Sequence, residues 1–285
     1  MKETRQAEYL PISQLHPFEG HPFKVQDNEE MDALMESIQT GGILTPLIVR
    51  PLEEENEYEV ISGHRRLHAA IKAGMETIPA FITPMSRDAA AIALVDSNLH
   101  REHILPSEKA FAYKLKMDAM SRQGQRTDLT LSQVATKLDT AAEVGKAHGE
   151  SRDKVFRYIR LTNLIPGILN MVDEGKIALT PAMELSYLTD EEQRDLLETI
   201  ESEDCTPSLS QAIQMKQLSQ AGNLTMDRIF AIMTQPKANQ REKISFRTDE
   251  VRKFFPKNYT TAQMQEVILK LLGEYQRKRQ RAMER

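Results

Sequence analysis

Two short clusters in this 285-residue chain have the residue types and spacing to hold an anion. Ser62-Gly63-His64-Arg65-Arg66 puts a glycine, an imidazole and two guanidinium groups on consecutive positions, between an alternating run, Tyr58–Ser62, and a helical one, Arg65–Ala73. Backbone N–H groups of a strand-to-helix turn, the positive end of the helix and two forked cations then converge on one point, as phosphate sites require. Ser97-Asn98-Leu99-His100-Arg101 closes the helical run Asp88–Leu99 and brings Asn98 and Arg101 to the same point if that helix folds back. The competing assignment pairs Arg65 or Arg66 with the acids of Glu53–Glu59.

A third pattern, Ala141–Arg160, fits a helix-turn-helix. That motif needs a small residue where two helices touch, a residue tolerant of positive φ four positions later, and apolar anchors on the second helix. Val144 and Gly145 supply the crossing, Gly149 the turn, Val155 and Tyr158 the inner face, and Ser151 the N-cap. Arg152, Lys154, Arg157 and Arg160 form the outer face, suited to phosphates and base edges of duplex DNA. The earlier register, on Leu131–Leu138, puts Asp139 at the turn and lacks a basic second helix. The plain alternative is a helical hairpin with a solvated charged face.

The elements that must position these clusters change character along the chain. Up to about residue 84 short β runs alternate with helical ones: strands over Tyr9–Ile12, Ile43–Arg50, Tyr58–Ser62 and Ile78–Ile82, and a helix over Glu29–Gln39 capped by Asn28 and ended by Gly41-Gly42. Beyond residue 86 the pattern is helical, with Ser107–Met120 as a helix and polar Gln123–Asp128 as a linker. Thr130 with Gln133, Thr189 with Glu192 and Thr260 with Gln263 have capping-box spacing. Lys243–Phe246 reads as a late strand, and a final helix carries Met264, Val267, Ile268, Leu271, Leu272 and Tyr275 as one stripe, followed by basic Arg277–Arg281. The expected domains are residues 1–105, 106–222 and 223–285.

Composition narrows the function classes. A formal charge of −5 is unevenly spread: residues 1–100 hold 8 Lys/Arg against 16 Asp/Glu, whereas residues 101–160 hold 12 against 8, a local positive balance suited to a polyanion. One cysteine, Cys205, rules out an intramolecular disulfide, and the absence of tryptophan leaves few stacking platforms for single strands. Apolar runs such as Ile43–Val49 fall well short of the roughly 20 residues of a bilayer span, and Met1–Arg5 leads into no apolar segment, so a cytoplasmic protein without membrane contact is expected. His64 and His68 stand at i, i+4 but have no convincing third ligand.

At the two anion clusters the chain resembles the ParB family of plasmid and chromosome partition proteins over roughly residues 10–200. The family's arginine-rich box stands here as Gly63-His-Arg-Arg-Leu-His-Ala-Ala70. Its second box, usually Glu-Asn-Leu-Gln-Arg followed by a proline and an alanine-rich helix, stands as Ser97-Asn-Leu-His-Arg101, Pro106 and Glu108–Ala112, and Gly42–Arg50 resembles the preceding strand. The resemblance implies an α+β fold: a small α/β ParB/sulfiredoxin-like N-terminal domain, an all-α helix-turn-helix domain and a small C-terminal module.

It also implies a sequence-specific homodimer on double-stranded DNA, gated by CTP with magnesium, associated with nucleoid or plasmid and served by a ParA-type ATPase. Gly63, Arg65 and Arg66 then fall at the phosphates, Thr45 and Pro46 toward the nucleoside, Asn98 at the magnesium and Arg101 on the triphosphate, with His64 and Ser97 also at the nucleotide site, while Ser151, Arg152, Lys154, Arg157 and Arg160 meet DNA. Two departures bear on hydrolysis: His64 and Ser97 stand where the family usually has glutamate, and serine is a poorer magnesium ligand or water orienter than a carboxylate. Slow or absent CTP turnover is therefore expected. The rival reading is a ligand-free helix-turn-helix transcriptional regulator. Sulfiredoxin chemistry is set aside because Ser62–Arg65 holds no cysteine.

Overall fold

The computed structural model describes residues 6–101, 103–127, 133–235, 251–256 and 258–283. Contacts divide the chain into two compact units, Met1–Gln235 and Pro236–Arg285. The first opens with β1 (Glu8–Pro11), β2 (Leu15–Pro17), α1 (Glu29–Gly41), β3 (Leu47–Pro51), β4 (Tyr58–Ser62), α2 (His64–Lys72), β5 (Thr77–Ile82) and α3 (Arg87–Asn98).

The strands form one sheet in the order β1-β5-β3-β4-β2, in which β5 lies antiparallel to β1 and parallel to β3, and β4 antiparallel to β3 and parallel to β2. β4 shows how alternation builds both faces. Val60 joins Leu47, Val49, Leu67 and Ala70 against α2, whereas Ile61 joins Phe18, Phe23, Ala90 and Leu94 against α3. Strand β3 starts at Leu47, later than the expected Ile43, after Pro46, which has no N–H to give a ladder. α1 begins where Asn28 accepts the Met31 N–H at 3.1 Å and ends at Gly42, whose φ of 69° suits glycine.

The rest of the first unit is helical: α4 (Pro106–Thr127), α5 (Gln133–Ala147), α6 (Arg152–Arg160), α7 (Pro166–Asp173), α8 (Leu179–Leu185), α9 (Asp190–Glu203), α10 (Leu209–Gln220) and α11 (Met226–Met233). Its core includes Leu161, Ile168, Leu185, Leu196, Met215 and Ile229. The expected linker from Gln123 is instead the end of α4 as far as Thr127: Arg and Gln are good helix formers, so a polar run alone marks no break. Both halves of the capping boxes at Thr189/Glu192 and Thr260/Gln263 are present, while Thr130 lies outside the described residues. Ser208 and Gln211 form a further box.

The second unit contains a turn through Val251–Phe255 and the long helix α12 (Thr261–Met283), on which Leu269, Leu271, Leu272 and Tyr275 are exposed. The expected strand at Lys243–Phe246 lies outside the described residues. Among the described residues no helix is long and apolar enough to cross a membrane.

Candidate functional site

The turn from β4 into α2 has the local geometry of an anion cradle. Gly63 caps α2 with φ 107°, and a Cβ there would lie 2.9 Å from Leu47 Cγ and 3.1 Å from Arg66 Nη2, so no larger residue fits without moving the arginine. Arg66 does not pair with the acids of Glu53–Glu59. Its Nη1 donates to Pro46 O at 2.9 Å and to Thr45 O, which draws Thr45, Pro46, Gly63 and Arg66 into one constellation. Burial lowers the Arg66 pKa. Arg65 is paired at 3.0 Å with Glu30 of α1, and Glu59 instead holds Arg50 at 2.7 Å.

The second cluster reaches the first through the segment Phe18–Lys24. His64 Nε2 accepts the Phe18 N–H at 3.5 Å, and its ring packs on His21 with centroids 3.8 Å apart. Arg101 lies 5.5 Å from the centre of the Phe23 ring. Burial, then the charges of His21 and Arg101, push His64 down to about 3, and burial and Arg101 also lower His21. Arg101 itself is lowered by burial first; Glu108 opposes this, and the Arg65 guanidinium adds repulsion. His64, Arg65 and Arg101 therefore stand within electrostatic reach of one another, with both imidazoles neutral at pH 7.

Ser97 and Asn98 sit at the end of α3 as expected but bond locally. Asn98 Nδ2 donates to Leu94 O at 2.8 Å and to Ser97 Oγ at 3.2 Å, and Ser97 Oγ donates to Leu94 O at 2.9 Å. With both amide N–H groups turned into the helix, Oδ1 is the part of buried Asn98 suited to meet a cation. His21 and Phe23 were missed in the sequence, where His21-Pro-Phe-Lys24 carries no helical or strand period.

The helix-turn-helix register is reproduced by α5 and α6. A Cβ at Gly145 would meet Glu150 O at 2.5 Å, Gly149 has φ 67°, and Ser151 accepts the Lys154 N–H at 3.3 Å as N-cap. Ala141, Val144 and Val155 are fully buried against Tyr113 and Met117 of α4. Ser151, Arg152, Lys154 and Arg157 are exposed. Arg160 is placed differently from the rest: its guanidinium lies 3.3 Å from the centre of the Tyr187 ring and donates to Ser186 O at 3.3 Å, which turns it onto α8.

These two sites occur in the order that two known domains prescribe. The pattern of the ParB N-terminal domain matches residues 1–99, and that of the ParB HTH domain matches residues 106–216. The chain belongs to the ParB family. It is 31% identical over 194 residues to the probable chromosome-partitioning protein ParB of Pseudomonas putida, covering 68% of this chain and 60% of that protein. It is 33% identical over 185 residues to the chromosome-partitioning protein Spo0J of Thermus thermophilus, covering 65% and 61%. The chain thus spans about three fifths of the length of these relatives. A C-terminally truncated ParB from Caulobacter crescentus, solved with CTP-gamma-S, aligns with 24% identity and a TM-score of 0.32, over 68% of this chain and 98% of that one. In this ParB-family chain the two matched domains meet in the stretch between α3 and α4.

Proposed function

We propose that this chain is a sequence-specific DNA-binding partition protein that acts as a homodimer and is gated by CTP with magnesium. The observation that supports the reading is the electrostatic reach of Arg101 to Arg65, next to an Arg66 fixed on the carbonyls of Thr45 and Pro46 at the start of α2, in the same compact unit as a helix-turn-helix with an exposed basic second helix. Arg66, fixed by the carbonyls of Thr45 and Pro46, and the free N–H groups after Gly63 take phosphate oxygens; Arg65 and Arg101 add charge on either side. Asn98 Oδ1, with its amide N–H groups engaged, would be one ligand for a magnesium ion carried on the phosphates. Magnesium neutralises phosphate charge there. With His64 neutral and the Ser97 hydroxyl turned to Leu94 O, neither group is set to orient an attacking water, in keeping with slow or absent CTP hydrolysis.

On DNA, Ser151, Arg152, Lys154 and Arg157 of α6 meet phosphates and base edges, with Arg160 held at the flank. The exposed end of the stripe on α12, Leu271, Leu272 and Tyr275, suits a second copy of this chain, which would present two recognition helices to two half-sites, whereas Met264 at its start is buried. The basic end of that helix suits further phosphate contacts, and the family implies a ParA-type ATPase partner and a place on nucleoid or plasmid. The rival is a ligand-free transcriptional regulator, favoured by one observation: Arg65 and Arg66 already have protein partners. Labelled CTP with magnesium separates the two. Binding that Arg66→Ala weakens, with DNA affinity kept, supports the switch; no binding at millimolar nucleotide leaves the regulator.

A further inference from the structure

The turn between α5 and α6 is anchored by buried charge as well as by apolar packing. The side chains of its polar residues His148 and Glu150 are 7% and 8% exposed, and both face α4. Glu150 accepts from Lys109 Nζ at 2.5 Å and Tyr113 Oη at 2.9 Å, and His148 Nε2 lies 3.4 Å from Lys116 Nζ. Lys109, Tyr113 and Lys116 stand at i, i+4 and i+7, so one stripe of α4 serves this turn.

Lys116 has a second partner. Its side chain is 5% exposed and forms an ion pair with Asp96 of α3, the residue just before Ser97-Asn98. His148 lies 3.4 Å from the same carboxylate. For Lys116 to donate to His148, Nε2 must be bare; the ring proton then sits on Nδ1, which is buried and makes no hydrogen bond. Burial and the neighbouring ammonium lower the His148 pKa, in accord with a neutral ring. An ammonium taken out of water keeps its place only while its partners stay, and these sit on two elements: the end of α3 and the DNA-reading turn. A shift of one is transmitted to the other or breaks the junction.

We infer that Lys116 is a positioning residue that ties the helix-turn-helix turn to the end of α3, so that occupancy beside Asn98 is felt at the recognition helix. This rests on the nucleotide reading above, and the test separates the two. The full chain, Lys116→Met, which keeps the apolar stem, Lys116→Arg, which keeps the charge, and Asp96→Asn at a half-exposed position are compared. Amide hydrogen exchange is followed over residues 145–151, with α9 as internal control. Affinity for a duplex selected from a random library by the wild-type chain is measured with and without CTP and magnesium.

Lys116→Met and Asp96→Asn should speed exchange in 145–151 and leave α9 unchanged. The effect of nucleotide on DNA affinity, about five-fold or more in the wild type if typical couplings apply, should fall to about one in Lys116→Met and return in part in Lys116→Arg, with CTP affinity little changed. An unaltered nucleotide effect in Lys116→Met, or unaltered exchange in Asp96→Asn, overturns the inference. If the wild type binds no CTP, the nucleotide reading fails, and the exchange of Asp96→Asn alone decides whether α3 anchors the turn. A Lys116→Met chain that does not fold leaves the same decision to Asp96→Asn.

Discussion

Replacing Gly145 by alanine tests the crossing of α5 and α6 directly. The new Cβ would stand 2.5 Å from Glu150 O, almost 1 Å inside ordinary contact, and 3.3 Å from Ser151 C. The obstacle is backbone, and it cannot swing away: the Glu150 N–H donates to Gly145 O at 2.8 Å, and Ser151 is engaged as the N-cap of α6. Alanine within a helix gains about 0.5–1 kcal/mol over glycine, whereas overpacking costs about 1–3 kcal/mol, here at the upper end. The net loss is about 2 kcal/mol, or a fall in Tm of roughly 4–8 °C for a unit of this size. Calorimetry reads the first effect and fluorescence anisotropy on the selected duplex the second, since α6 must tilt to relieve the clash. Gly149→Ala is the control: its Cβ meets nothing within 4 Å, and only the φ of 67° costs about 1 kcal/mol. A Gly145→Ala chain that melts at or above the wild-type temperature and keeps its DNA affinity refutes the tight crossing.

At the cradle, Gly63→Ala crowds Leu47 and Arg66 and strains a backbone at φ 107°, so CTP affinity measured by calorimetry should fall about ten-fold or more, the worth of about 1.4 kcal/mol, while DNA binding persists. Arg152→Ala and Arg157→Ala should each lower the slope of log K against log salt by about one, whereas Arg160→Ala should leave the slope and lower the melting temperature through loss of its stack on Tyr187. The folded-state pKa of His64, about 3, lies below the ordinary value near 6.5, so the stability tied to its neutral form is complete above 6.5 and is lost as pH falls toward 3. Urea midpoints at pH 7, 6 and 5 should show a loss of at most about 1.4 kcal/mol per pH unit from this group, and His64→Gln should flatten the profile. Thr189→Ala removes one half of a capping box and should cost about 1 kcal/mol, read from the same urea curves.

What could be read in the sequence depended on the range of the constraint. Gly63, Gly145, Gly149 and Ser151 answer to backbone geometry within a few residues, and each is legible because only certain side chains permit a positive φ, a close crossing or an N-cap. The partners of the charges are set by contacts over long separations, and there local reading fails. Arg65 took Glu30, 35 positions away, and Arg66 took two carbonyls, although the acids of Glu53–Glu59 were nearer in sequence. With 37 Lys/Arg and 42 Asp/Glu, many pairings share the same local signature, and only the packing of α1 on α2 and of β3 beside β4 selects among them.

The same distance explains why His21, Phe23, Lys116 and His148 were silent. The difference between the two arginine partners also has a chemical consequence. The Arg65–Glu30 pair is exposed, and such pairs are worth about 0–1 kcal/mol, so under the proposed function an incoming phosphate would displace the carboxylate at little cost. Arg66 is half-buried and fixed by carbonyls, so it has little orientation left to lose. One arginine of the box is therefore fixed in advance and the other is loosely held, a division that would suit the polyphosphate site proposed above.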